Sequence, residues 1–141
     1  EKGIDYSDII DNTFYKKTYV QNQILGRALL ESVLFYDGKC IFTTVTIDEM
    51  EFYGVTGREL GGIVEQLRLT DGVEVAIFLY QTGEEEYKVS LRSKKKIDVA
   101  AIATQFGGGG HVRAAGYTAK GSVYQIINSI GELIEKQYNA M

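Results

Sequence analysis

The chain has 141 residues, 45% of them apolar and 24% charged, which are globular averages and exclude a disordered coil. No apolar run approaches ~18 residues, so no segment reads as a membrane span; one cysteine and one histidine exclude an internal disulfide and the usual Cys/His zinc sites. The net charge of −4 argues against a general nucleic-acid coat, yet Arg92 to Arg113 carries five cations against Asp98 alone, a net +4 inside a remainder of −8.

The first residue is Glu1, not Met, which suggests a piece of a longer chain, and the lone Cys40 suits a reducing, cytoplasmic compartment. Tyr6, Ile9, Ile10 and Phe14 share a helical stripe over 4–14, with Asp5, Asp8 and Asp11 facing away as a solvated surface. We read 1–16 as a connector and 17–141 as one domain. Tyr19 to Leu30 has a second helical pattern. Val33–Tyr36 and Lys39–Thr46 read as strands around Asp37-Gly38, a strong hairpin signal. Asp48–Tyr53 and Arg58–Leu69 read as helices. Val73–Tyr80 is an apolar strand, and Tyr87, Val89 and Leu91 alternate with Lys88, Ser90 and Arg92 in another. Asp98 caps a short helix carrying Val99, Ile102, Ala103 and Phe106, which Gly107 ends. Residues 114–119 are extended, and the Ser122/Gln125 capping box opens a last amphipathic helix. These elements predict an α/β (α+β) fold with one mixed sheet of about five strands, flanked by helices. Cys40, Tyr36, Tyr53, Tyr80 and Tyr87 fall in apolar patterns and are expected to pack.

Two segments carry chemistry. Gly107 to Gly110, followed by His111-Val112-Arg113-Ala114-Ala115-Gly116, is a loop without Cβ atoms next to an imidazole. Bare backbone N–H groups there suit a phosphate. The pattern is not a P-loop, since no Lys-Ser or Lys-Thr follows the glycines, and no strand precedes it as a dinucleotide fingerprint requires. In Lys88-Val89-Ser90-Leu91-Arg92-Ser93, Arg92 and Ser93 end a strand, where a guanidinium can grip phosphate or stack on a base. Lys94 to Lys96 are placed to steer anions or simply to be solvated.

Together, Ser90-Leu91-Arg92-Ser93 and Gly107 to Gly110 with His111 and Ala114-Ala115-Gly116 resemble the C-terminal, DHH-associated domain of the DHH superfamily of phosphoesterases. The spacing, with Asp98-Val99-Ala100 between, looks most like the nano-RNase branch, bifunctional oligoribonucleases and 3′-phosphoadenosine-5′-phosphate (pAp) phosphatases. The resemblance covers nearly the whole chain. It implies that Gly108, Gly109, Gly110 and His111 hold a substrate phosphate. It implies that Arg92 and Ser93 hold a base or terminal phosphate; Arg113, where the family tolerates other residues, is a further candidate. It implies a manganese cluster built by a separate N-terminal DHH domain, with short single-stranded RNA or nucleotide phosphates as substrates and a homodimer as one possible assembly. This chain has no Asp-His-His motif, so it is expected to bind no cofactor itself and to bind substrate without cleaving it. Two alternatives stay open: a non-catalytic sensor of nucleotides or cyclic dinucleotides (or the substrate domain of a cyclic-di-AMP phosphodiesterase), and a pure interaction domain in which the glycine loop is structural.

Overall fold

A computed structural model describes residues 18–141. The helix expected over 4–14 and the connector 1–16 lie outside the described residues. The elements run α1 (Tyr19–Leu30), β1 (Val33–Phe35), β2 (Cys40–Val45), α2 (Ile47–Tyr53), a 3-10 turn (Gly57–Leu60), α3 (Gly62–Arg68), β3 (Val75–Gly83), β4 (Glu86–Ser93), α4 (Val99–Gln105), β5 (Gly109–His111), β6 (Ala114–Lys120) and α5 (Val123–Asn139).

Six strands form one sheet in the order β1-β2-β3-β4-β6-β5. Only β2 and β3 pair in parallel, and α2, the 3-10 turn and α3 make the crossover between them. The mixed α/β expectation holds, with one strand more than foreseen. The extra strand is β5, inside the segment read as a glycine loop. Glycine has low strand propensity, so its pairing depends on β6 folding back rather than on local preference. The helix expected over Arg58–Leu69 is also divided: Gly61 separates the 3-10 turn from α3, which opens at Gly62.

Local signals otherwise act as expected. Ser122 forms its capping box with Gln125, and Thr18, Thr46 and Thr56, not singled out in the sequence, form three more with the Gln or Glu three residues on. The Asp98 side chain accepts from the Ala101 N–H at 3.0 Å. Between β1 and β2, Asp37 and Gly38 both take positive φ, 57° and 77°, as a type I′ turn requires, and the Lys39 N–H closes it on the Tyr36 carbonyl at 3.1 Å.

The sheet buries its two faces against different helices. On one face, α4 and α5 cover Cys40, Val75, Ile77, Leu79, Val89, Leu91, Ala115, Tyr117 and Ala119. On the other, α1, α2 and α3 cover Ile41, Val45, Ala76 and Phe78, all on β2 and β3. Tyr36 and Tyr87 pack against the first core, Tyr53 and Tyr80 against the second, and Cys40 is fully buried, its thiol pushed up to about 12 chiefly by that burial. On the second face α3 reaches β4, and no helix from the described residues packs across β6 and β5.

Candidate functional site: an open sheet face beside a glycine hairpin

Strand register decides which residues share the open face. His111 stands opposite Ala114, Ala114 opposite Arg92, and Arg92 opposite Ala76. Directly opposed residues point to the same side of a sheet, so His111, Ala114 and Arg92 form one row across β5, β6 and β4. The His111 and Arg92 backbones are two strand spacings apart, about 10 Å. The next row holds Gly109, Gly116 and Ser90. Lys88 and Thr118 continue the same face and are exposed. The result is a shallow floor of Gly and Ala with an imidazole at one side and a guanidinium at the other.

The glycines have separate reasons. Gly107 has φ +87° and closes α4: its N–H donates to the Thr104 carbonyl at 3.2 Å, and that of Gly108 to the Ala103 carbonyl at 2.9 Å, a Schellman cap. A Cβ on Gly108 would run into the Gly116 carbonyl oxygen and Tyr117. Gly110 has φ +145°, and a Cβ there would lie 2.6 Å from the Ala115 Cα. Gly109 differs: its φ is unexceptional, and a Cβ would meet nothing within 4 Å. The fold therefore explains three glycines, while the fourth keeps the open face bare.

Arg92 is positioned from α3. Its Nε donates to Glu65 at 2.7 Å and its Nη1 to the Leu91 carbonyl at 2.9 Å. Glu65 also accepts from Arg68 Nε at 3.1 Å. The hydrogen bond from Arg92 leads in holding the Glu65 carboxyl below its ordinary range. The Arg92 side chain remains 25% exposed, and its Nη2 has no hydrogen bond among the described residues, so a fork of N–H donors is open to a ligand. Glu65 was not foreseen; a helical Glu three residues before an Arg looks like an ordinary surface pair in sequence.

Two expected site side chains do not join this face, and Gly110, opposite Ala115, alternates to the covered side. Ser93 alternates to the opposite side from Arg92 and is 2% exposed, its hydroxyl donating to the Ile97 carbonyl at 2.6 Å. Arg113 turns inward: its Nη1 donates to the Ile97 carbonyl at 2.6 Å and its Nη2 to that of Lys95. Both side chains brace the 93–98 segment. The physical reason is the strand period of two, which separates adjacent residues, and the tight Val112-Arg113 turn, which places Arg113 beside that segment. Gly108 lies just before β5, while Gly109, Gly110 and His111 form an edge strand rather than a loop, with the unpaired backbone groups of an edge along its free side.

The segment after β4 holds a second unforeseen feature. The N–H groups of Lys95, Lys96 and Ile97 all donate to the Glu74 carboxylate, at 3.1, 2.7 and 3.0 Å. Burial alone would raise this carboxyl, but the donors from Ile97, Lys96, Lys95 and Lys94 together hold it below its ordinary range. The N–H nest that the glycine run suggested thus occurs here, around the protein's own anion. Among the described residues no group of three or more His, Cys, Asp or Glu side chains converges, so they do not fit a metal cluster.

Over 55 residues, 39% of its length, the chain is 47% identical to a bifunctional oligoribonuclease and PAP phosphatase, NrnA, of Thermus thermophilus, and covers 17% of that protein. Its fold matches an exopolyphosphatase-related protein from Bacteroides fragilis with a TM-score of 0.82 and 25% identity, over 96% of this chain and 40% of that one. A pGpG-specific phosphodiesterase from Vibrio cholerae shares the fold at a TM-score of 0.59 and 11% identity, over 96% of this chain and 46% of that one. The chain thus spans less than half the length of each of these relatives. The family model described as the DHHA1 domain matches residues 37–137, and the chain belongs to that family, the DHH-associated domain of DHH superfamily phosphoesterases.

Proposed function

We propose that this chain is the substrate-binding domain of a phosphoesterase acting on short oligoribonucleotides or pAp. The observation that carries the reading is the row His111–Ala114–Arg92 on a bare sheet face. His111 donates to a phosphate oxygen. Arg92, aimed by Glu65, forks onto a second oxygen or stacks on a base. The small floor of Ala114, Gly109 and Gly116 lets the ligand lie against backbone. The similarity to an oligoribonuclease and PAP phosphatase supports nucleotides as the ligand class. In this reading manganese and the attacking water belong to a DHH domain of the parent protein, outside this chain, and the parent works in the cytoplasm. The chain's own contribution in this reading is to bind and orient the phosphate, so it should bind substrate without cleaving it.

Calorimetric titration with pAp and a 5′-phosphorylated diadenylate at low salt tests this. Arg92→Ala and His111→Ala should each weaken binding by ~1.5–3 kcal/mol, the range for hydrogen bonds to charged groups, at unchanged melting temperature. Parental affinity in both variants would remove this face from ligand binding.

A further inference from the structure

The open face does not use the densest positive charge in the molecule. Lys94, Lys95 and Lys96 follow β4 and, with Lys39, Gly72, Val73, Glu74 and Tyr138, line a concavity of about 300 Å³. This place lies at the sheet end where β2 and β3 begin, beyond the row that holds Arg92.

A solvated lysine run needs no rigid support, yet this one is braced on both sides of its backbone. Its N–H groups are fixed by Glu74, and the Lys94 N–H donates to the Glu74 carbonyl at 3.0 Å. Its carbonyls at Lys95 and Ile97 are held by Arg113. Lys39 arrives from the β1–β2 turn, its ammonium 5.4 Å from the Tyr36 ring centre and 5.3 Å from that of Tyr138. Lys94 donates to the Thr70 carbonyl at 3.0 Å, while Lys95 and Lys96 are exposed. Four lysines and one carboxylate thus line the concavity, a net +3 in a chain whose net charge is −4. That carboxylate is already occupied by three N–H donors. A concave, single-sign cluster in an acidic protein focuses its field on an anion.

We propose that the Lys39–Lys94–Lys95–Lys96 concavity is a second phosphate-binding site, distinct from the Arg92–His111 face. Ammonium groups are compact point charges with donors free to rotate. Arriving from two separate segments, they suit a tetrahedral, multiply charged phosphate better than a planar carboxylate. The phosphate can come from a nucleotide chain that also reaches Arg92, or from a free polyphosphate ion. The first source rests on the proposed function; the site itself does not.

The test is an amide-resolved NMR titration of the 141-residue chain with inorganic tripolyphosphate at low salt, with citrate as a carboxylate control. We expect the Lys94 to Ile97 and Tyr138 amides to shift. Lys95→Gln/Lys96→Gln should weaken tripolyphosphate binding by about tenfold or more at unchanged melting temperature, as loss of two charge-assisted contacts implies. Arg58→Gln, at an exposed cation of the 3-10 turn outside both places, should leave this binding unchanged, which separates the site from general attraction to surface charge. A 5′-phosphorylated diadenylate that shifts both Lys94 to Ile97 and Gly107 to His111 identifies a nucleotide chain as the source; tripolyphosphate acting alone identifies the free ion. The proposal is overturned if the double variant binds as tightly as the parent, if citrate binds equally well, or if all shifts fall at Gly107 to Arg113.

Discussion

The two halves of the sheet follow opposite rules. In β3, every residue from Val75 to Leu79 is buried, because α1, α2 and α3 cover one face and α4 and α5 the other. In β4, Val89, Leu91 and Ser93 are buried while Lys88, Ser90 and Arg92 are not, because among the described residues only α3 reaches that face of the strand. A strand buried on both sides reads as a continuous apolar run, and a strand buried on one side alternates. The contrast locates the proposed site: where the second face changes from Ala76 and Phe78 to Arg92 and Ser90, packing gives way to an accessible surface.

The sharpest way to break the comparison is substitution in each half. Leu79→Ala removes a fully buried side chain from β3 and should cost ~2–5 kcal/mol in chemical denaturation, whereas Lys88→Ala on the open face should stay within about 0.5 kcal/mol. Equal costs would mean that the open face is packed.

The glycines sharpen it next. Gly108→Ala forces a methyl against the Gly116 carbonyl and should destabilise by ~1–3 kcal/mol. Gly109→Ala meets open space, so its melting temperature should match the parent's while nucleotide affinity falls. An equally stable Gly109→Ala protein with parental affinity would show that no ligand lies on that row.

The smallest effect depends on pH. The folded-state value of Glu74 is below its ordinary 4.5, so its contribution is complete above that value and is lost as the pH falls through the lower folded one. Glu74→Gln should cost about 1 kcal/mol or more at neutral pH, because a neutral amide removes the charge that strengthens the three N–H hydrogen bonds, and should flatten the acid limb of the stability curve. An acid limb as steep as the parent's would place that pH dependence on other carboxylates.

Much of this was legible in the residue order. Capping boxes, the Asp37-Gly38 turn, the alternation of β4 and the α5 stripe are local signals, and each acts within a few residues of itself. The resemblance carried by Ser90 to Ser93 and Gly107 to Gly116 identified the family before any coordinates. The site was legible as a set of neighbours but not as an arrangement. Arg92 and Ser93 are adjacent in sequence and on opposite faces in space. Arg113 and His111 are two residues apart, and one braces a backbone while the other stands on the open face. Glu65 and Glu74 gave no signal at all, because their partners lie 27 and more than 20 residues away.

The sequence by itself determined most of the elements and the family, because periodicity, caps and turn residues act over one or two turns of chain. Only the tertiary structure decided which face of β4 stayed open, that Gly109 to His111 pairs as a sixth strand, and that Glu74 fixes the lysine segment. Those outcomes depend on strand register and on which helix covers which face. Both are set by pairing between residues far apart in the chain, where local propensity has no reach.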